Sequence, residues 1–133
     1  MREIKFRAWD TQVEEMLYGV EHTYDGYKVP MPSFGAVLDC PDFYDVMQYT
    51  GLKDKNGVEI YEGDILELRA NPFDRKKDLF QVVFKDGGFR DEWNNYIGQY
   101  LPPDIRNKQG GRVRLNEACE VVGNIYENKE LLE

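Results

Sequence analysis

The stretch GLKDKNGVEIYEGDIL, residues 51–66, decides how this chain is read. Asn56-Gly57 is a strong hairpin signal because both residues tolerate the positive φ of a tight turn, and Glu62-Gly63-Asp64 marks a second reversal before Ile65-Leu66-Glu67-Leu68. Leu52, Val58, Ile60, Ile65 and Leu66 supply apolar faces between these turns. The pattern predicts short strands joined by reversals. A calcium loop is excluded: it needs Gly at its sixth position and an acid at its twelfth, and counting from Asp54 those places fall elsewhere, with Ile65 as the twelfth residue. The stretch therefore reads as a way of folding rather than a ligand loop.

Downstream, Asn71-Pro72 and the charged run 74–78 predict a solvated loop, and Leu79–Phe84 a strand ended by Asp86-Gly87-Gly88, so that residues 64–84 form a long hairpin. In FRDEWNNYIGQYL, residues 89–101, the residues Phe89, Trp93, Tyr96, Ile97, Tyr100 and Leu101 recur at helical spacing and predict one appreciable helix, stopped by Pro102-Pro103. Val113–Leu115 and Glu120–Tyr126 read as strands, and Asn128 as the cap of a short final turn over 129–132. Upstream, residues 43–50 alternate as a largely buried strand, and the prolines at 30, 32 and 41 predict an irregular connection with a short turn of helix. Residues 2–9 alternate as a half-buried strand, and Asp25-Gly26 reads as the tip of a hairpin.

A chain of 133 residues with 41% apolar and 14% aromatic content can bury one core without disulfides or a metal. We expect a single domain over 1–133, with a strand meander over about 1–50 and the remaining strands over about 51–133. Cys40 and Cys119 are far apart and in no C-x-x-C arrangement, so reduced thiols are expected. The net charge of −8 argues against non-specific attraction to nucleic acid or anionic membranes. No run approaches a membrane span, and a cytoplasmic location is expected.

IKFRAWD at 4–10, MQYTGLKDKNGVEIYEGDIL at 47–66 and EVVGNIYENKELL at 120–132 together resemble the YopX family, small proteins encoded by phages and prophages. The resemblance implies a mainly β fold with an SH3-like barrel, additional N-terminal strands and at most one or two short helices. It implies no reaction, ligand or catalytic residue.

For enzymatic function the residues offer little. His22 is the sole histidine and Ser33 the sole serine, the latter flanked by proline and without a G-x-S-x-G elbow. Asp39, Asp42 and Asp45 recur at three-residue steps, but with 25 acidic residues such spacing is cheap, and a solvated acidic face is the expected reading. No phosphate-binding loop occurs, and no catalytic residue, cofactor or metal is assigned. One segment departs from the acidity: in IRNKQGGRVR, Arg106, Lys108, Arg112 and Arg114 occur with no acid between them, after the segment that carries the aromatic residues Trp93, Tyr96 and Tyr100. The leading expectation is a non-enzymatic phage or prophage accessory protein that binds another protein. Its alternative is nucleic-acid binding, with the basic residues on phosphates and the aromatics stacking on bases. The same four charges also suit docking of an acidic copy of the chain, and a weaker alternative is an acidic DNA mimic that occupies a host DNA-binding protein.

Overall fold

A computed structural model of the chain describes residues 3–23, 32–68, 78–92, 95–101 and 109–132. The fold is mainly β with two short α-helices. Its residues group into two compact units, Met1–Tyr49 and Thr50–Glu133.

In the first unit, β1 (Phe6–Asp10) lies between β2 (Glu15–Tyr18) and the start of β3 (Tyr44–Lys53), antiparallel to both. The β1–β2 reversal is set by Asp10, whose Oδ1 accepts from the Gln12 and Val13 N–H groups at 2.9 and 3.3 Å, as short acidic side chains do at turns. The predicted strand over 2–9 thus begins at Phe6 and runs to Asp10. The expected helical turn among the prolines is α1 (Phe34–Asp39), whose N-cap is Ser33: its hydroxyl accepts from the Ala36 N–H at 3.2 Å. Ala8, Val20 and Val37 are fully buried, and Phe6, Leu17, Phe34, Tyr44 and Val46 pack against them. Val20–His22 is a 3₁₀ turn, and the expected tip at Asp25-Gly26 lies outside the described residues.

In the second unit the end of β3 neighbours β4 (Glu59–Tyr61), and the Thr50 hydroxyl donates to the Ile60 carbonyl at 2.7 Å. β5 (Asp64–Leu68) is the centre of a three-stranded antiparallel sheet, between β6 (Asp78–Gln81) and β9 (Cys119–Asn124). Its residues are buried through Glu67 because it is covered on both sides, as its apolar run requires. A bulge between Ile65 and Leu66 shifts the β9 register, so that Ile65 faces Gly123 and Leu66 faces Val121. Ile60, Leu66, Phe80, Val82, Leu101, Val113, Leu115 and Cys119 form the core of this unit.

Three expectations need correction. Leu79–Phe84 is two strands rather than one: Val82 still donates to Asp64 at 2.9 Å, but β7 (Val83–Lys85) pairs with β8 (Gly88–Arg90) across the turn at Asp86-Gly87. The strand expected at Val113–Leu115 shrinks to a bridge between Arg114 and Tyr100, after which the chain enters α2 (Leu115–Ala118). The helix expected over 89–101 does not form among the described residues of that segment: Phe89 belongs to β8, and Tyr96 and Tyr100 sit in isolated antiparallel bridges with Arg90 and Arg114. Asp91 supplies the reason, because its carboxylate accepts from the Asn95 N–H at 2.9 Å while its own N–H donates to the Asn95 carbonyl at 3.0 Å. This local closure takes the backbone groups a helix would use and turns the chain back along β8. The final 3₁₀ turn over Lys129–Leu132 forms where expected.

Candidate functional site

The opening stretch, 51–66, is structural from its buried carboxylates upward. Asp54 is 3% exposed; Oδ1 accepts from the Asn56 and Val58 N–H groups at 2.8 and 2.9 Å, and Oδ2 accepts from the Val121 N–H at 2.9 Å. One side chain therefore closes the Asn56-Gly57 turn and ties it to β9. Lys55 and Asn56 continue the junction, both reaching the Glu120 carboxylate, at 3.4 and 3.2 Å. The second turn repeats the device: Asp64, 2% exposed, accepts from the Tyr61 N–H at 2.8 Å. Gly63 adopts φ +87°, which a side chain disfavours, and its N–H and C=O bond to Val82 and Ile125. On β9, Asn124 Oδ1 accepts from the Tyr126 and Glu127 N–H groups at 3.0 and 2.8 Å.

The residues proposed as nucleophiles, bases or metal ligands do not converge. Ser33 caps a helix, and His22 is an exposed residue 3.9 Å from the Glu21 carboxylate. Asp39, Asp42 and Asp45 do not assemble, since no group of three or more His, Cys, Asp or Glu residues able to hold a metal occurs among the described residues. Both cysteines are free, and burial, with the nearby Asp54 carboxylate second, pushes the Cys119 thiol up to about 12.

The basic and aromatic residues behave differently. Trp93, Arg106 and Lys108 lie outside the described residues. Tyr100, Arg112 and Arg114 are brought together on two short antiparallel segments, pinned by hydrogen bonds from the Leu101 N–H to Val113 at 2.8 Å and from the Leu115 N–H to Gln99 at 2.9 Å. Side chains alternate across such segments: Val113 and Leu115 turn inward and are buried, whereas Arg112, Arg114 and Tyr100 are exposed. The Arg112 and Arg114 guanidinium carbons lie 5.4 and 5.7 Å from the centroid of the Tyr100 ring, within cation–π range. Arg112 is further fixed by its Nη2 donating to the Leu101 carbonyl at 2.7 Å.

Tyr96 belongs to a second pairing that sequence reasoning missed. Its ring, on a residue 65% exposed, lies 3.8 Å from the guanidinium carbon of the buried Arg90, and packs over Gly88, where a Cβ would fall 2.7 Å from Tyr96 Cε1. The signal was the alternation within β8, which puts Gly88 and Arg90 on one face, but the helical reading of Phe89–Leu101 concealed it. What the Tyr100 face can do chemically is present two cations and an aromatic surface in one fixed arrangement.

Fold and site together define a small, mainly β protein whose internal carboxylates hold its turns and whose arginines frame an exposed tyrosine. The chain belongs to the YopX family: residues 5–133 match the family described as YopX protein. It is also similar to a solved structure, described as the crystal structure of protein EF1440 from Enterococcus faecalis, at 32% sequence identity and a TM-score of 0.62, covering 100% of each chain. No curated protein matches it. Among the described residues, no helix is long and apolar enough to cross a membrane.

Proposed function

We propose that this YopX protein is a non-enzymatic accessory protein of a phage or prophage, acting in the cytoplasm of the bacterial host by binding another protein, on a scaffold of the SH3-barrel type. The observation that carries this reading is the exposed Tyr100 with the Arg112 and Arg114 guanidinium groups both within cation–π range of its ring. Tyrosine and arginine are the side chains that dominate the energetics of protein interfaces, and a residue already fixed by backbone pairing loses little further freedom on binding. Two cations on a chain of net charge −8 select a partner that is acidic at the point of contact. Affinity capture from host lysate tests this: wild-type protein retains a defined protein partner, and Tyr100→Ala with Arg114→Glu loses it while the fold persists. Retention of every partner by that variant removes the face from the reading, and turnover of a substrate that is lost on a single substitution overturns the non-enzymatic part.

The same geometry supports a second reading, nucleic-acid binding, with Tyr100 stacking on a base and the two arginines on phosphates. In that case affinity falls steeply with salt, and Arg112→Glu with Arg114→Glu weakens it markedly. Absence of any mobility shift with single- or double-stranded DNA or RNA at low salt eliminates this reading.

A further inference from the structure

A second surface of the Thr50–Glu133 unit has the features of a docking site, independently of the Tyr100 face. A cleft of about 260 Å³ is lined by Gly51, Leu52, Lys53, Gln99, Leu115 and Asn116. Leu52 packs against the core cluster to which Leu115 belongs, so the apolar part of the lining is backed by a rigid interior. Among the described residues the polar part consists of an ammonium and two amides. None of the Lys53, Gln99 and Asn116 side chains has a hydrogen-bond or ion-pair partner among the described residues, although all three residues are exposed. A cavity of about 150 Å³ is enough to take a benzene ring, so this cleft has room for one large apolar side chain with polar groups around it.

Charge selects the occupant. The chain carries 25 acidic and 17 basic residues, yet the described residues that line the cleft include a cation, Lys53, and no acid. Its open groups also divide by role: the ammonium takes a carboxylate, and the amides can donate to and accept from an extended backbone. We infer that this cleft docks an acidic, extended peptide segment of a partner protein, seating a leucine-sized side chain against Leu52 and Leu115 and pairing an adjacent carboxylate with Lys53. The occupant is set apart from a generic counter-ion by the apolar contact, and from a generic hydrophobic ligand by the carboxylate.

The test uses the full-length, isotope-labelled chain and three blocked five-residue peptides: three aspartates alternating with two leucines, the same peptide with lysines for aspartates, and the same with serines for leucines. Only the first is expected to give saturable amide shifts at millimolar concentration, centred on Gly51, Leu52, Lys53, Gln99, Leu115 and Asn116. Because the protein is itself strongly acidic, preference for an acidic peptide runs against its overall field and isolates the local effect. Lys53→Glu weakens binding at least tenfold. Asn116→Phe, which fills the mouth of the cleft at an exposed position, blocks it, and the spectrum away from the cleft reports that each variant is folded. Equal binding of the lysine or serine peptide, no shifts at all, or shifts centred on Tyr100, Arg112 and Arg114 overturn the proposal. So do dilution-dependent shifts of the same six residues without peptide, which assign the cleft to a second copy of the chain.

Discussion

Asp54 shows how much one residue can organise. Its two carboxylate oxygens accept three backbone N–H groups from residues 56, 58 and 121, which joins a local turn to a strand more than sixty positions away. Hydrogen bonds to an ionised acceptor are worth about 1.5–3 kcal/mol each when the alternative is a buried, unpaired donor. Asp54→Asn keeps the shape but replaces one acceptor oxygen with a donor that faces an N–H. We expect a loss of about 2–4 kcal/mol in urea unfolding. A loss below about 0.5 kcal/mol, the scale of an ordinary surface substitution, removes this role from Asp54.

Cys119, close by, provides the pH dependence. Its thiol ordinarily loses a proton near 9.0 and in the folded chain is pushed up to about 12. Below the unfolded value both states hold the proton and nothing changes with pH. Above it the unfolded chain releases the proton and the folded chain does not, so stability falls as pH rises from 9.0 towards about 12. The slope from this one group is at most about 1.4 kcal/mol per pH unit. Cys119→Ala is expected to flatten this part of the profile, and in the wild type a thiol reagent at mildly alkaline pH should modify the half-buried Cys40 before the fully buried Cys119. An unchanged slope in Cys119→Ala assigns the alkaline loss to other groups.

At the scale of elements, legibility tracked how local the controlling interaction is. The reversals at Asn56-Gly57 and Glu62-Gly63-Asp64 and the turn at Lys129–Leu132 rest on residues within a few positions of one another, and the sequence shows them directly. The segment 89–101 misled because aromatic residues at helical spacing also suit short strands, and the deciding contact was the Asp91–Asn95 closure. That closure sends Tyr96 back beside β8 and over Gly88. Gly88→Ala places a methyl group 2.7 Å from Tyr96 Cε1, too close for the ring to stay where it is. Since that ring is exposed and can swing away, the cost should be small, under about 1 kcal/mol, while the stacking on Arg90 is lost. The proton shifts of the Tyr96 ring report this directly: an unmoved ring with a large loss of stability would show that the backbone, rather than the ring, fills the space above Gly88.

At the scale of the whole molecule, each of the two units carries its own buried cluster, Ala8, Val20 and Val37 in one and residues such as Ile60, Leu66 and Val82 in the other. Of the candidate site, the residue types at Tyr100, Arg112 and Arg114 were visible as a basic stretch after an aromatic one, but not their geometry. Neither the partnership of Tyr96 with Arg90 nor the cleft beside Leu52 and Leu115 could be read before the strands were placed. By itself the sequence determined the turns, the mainly β character and the family, since hairpin chemistry, alternation and quoted motifs act over short spans. Only the tertiary structure decided which strands became neighbours, that Asp54 reaches Val121, and which polar side chains are left open around a cleft. Those outcomes depend on residues distant in the chain that compete for the same buried space and the same backbone hydrogen bonds, a competition resolved only when the core closes.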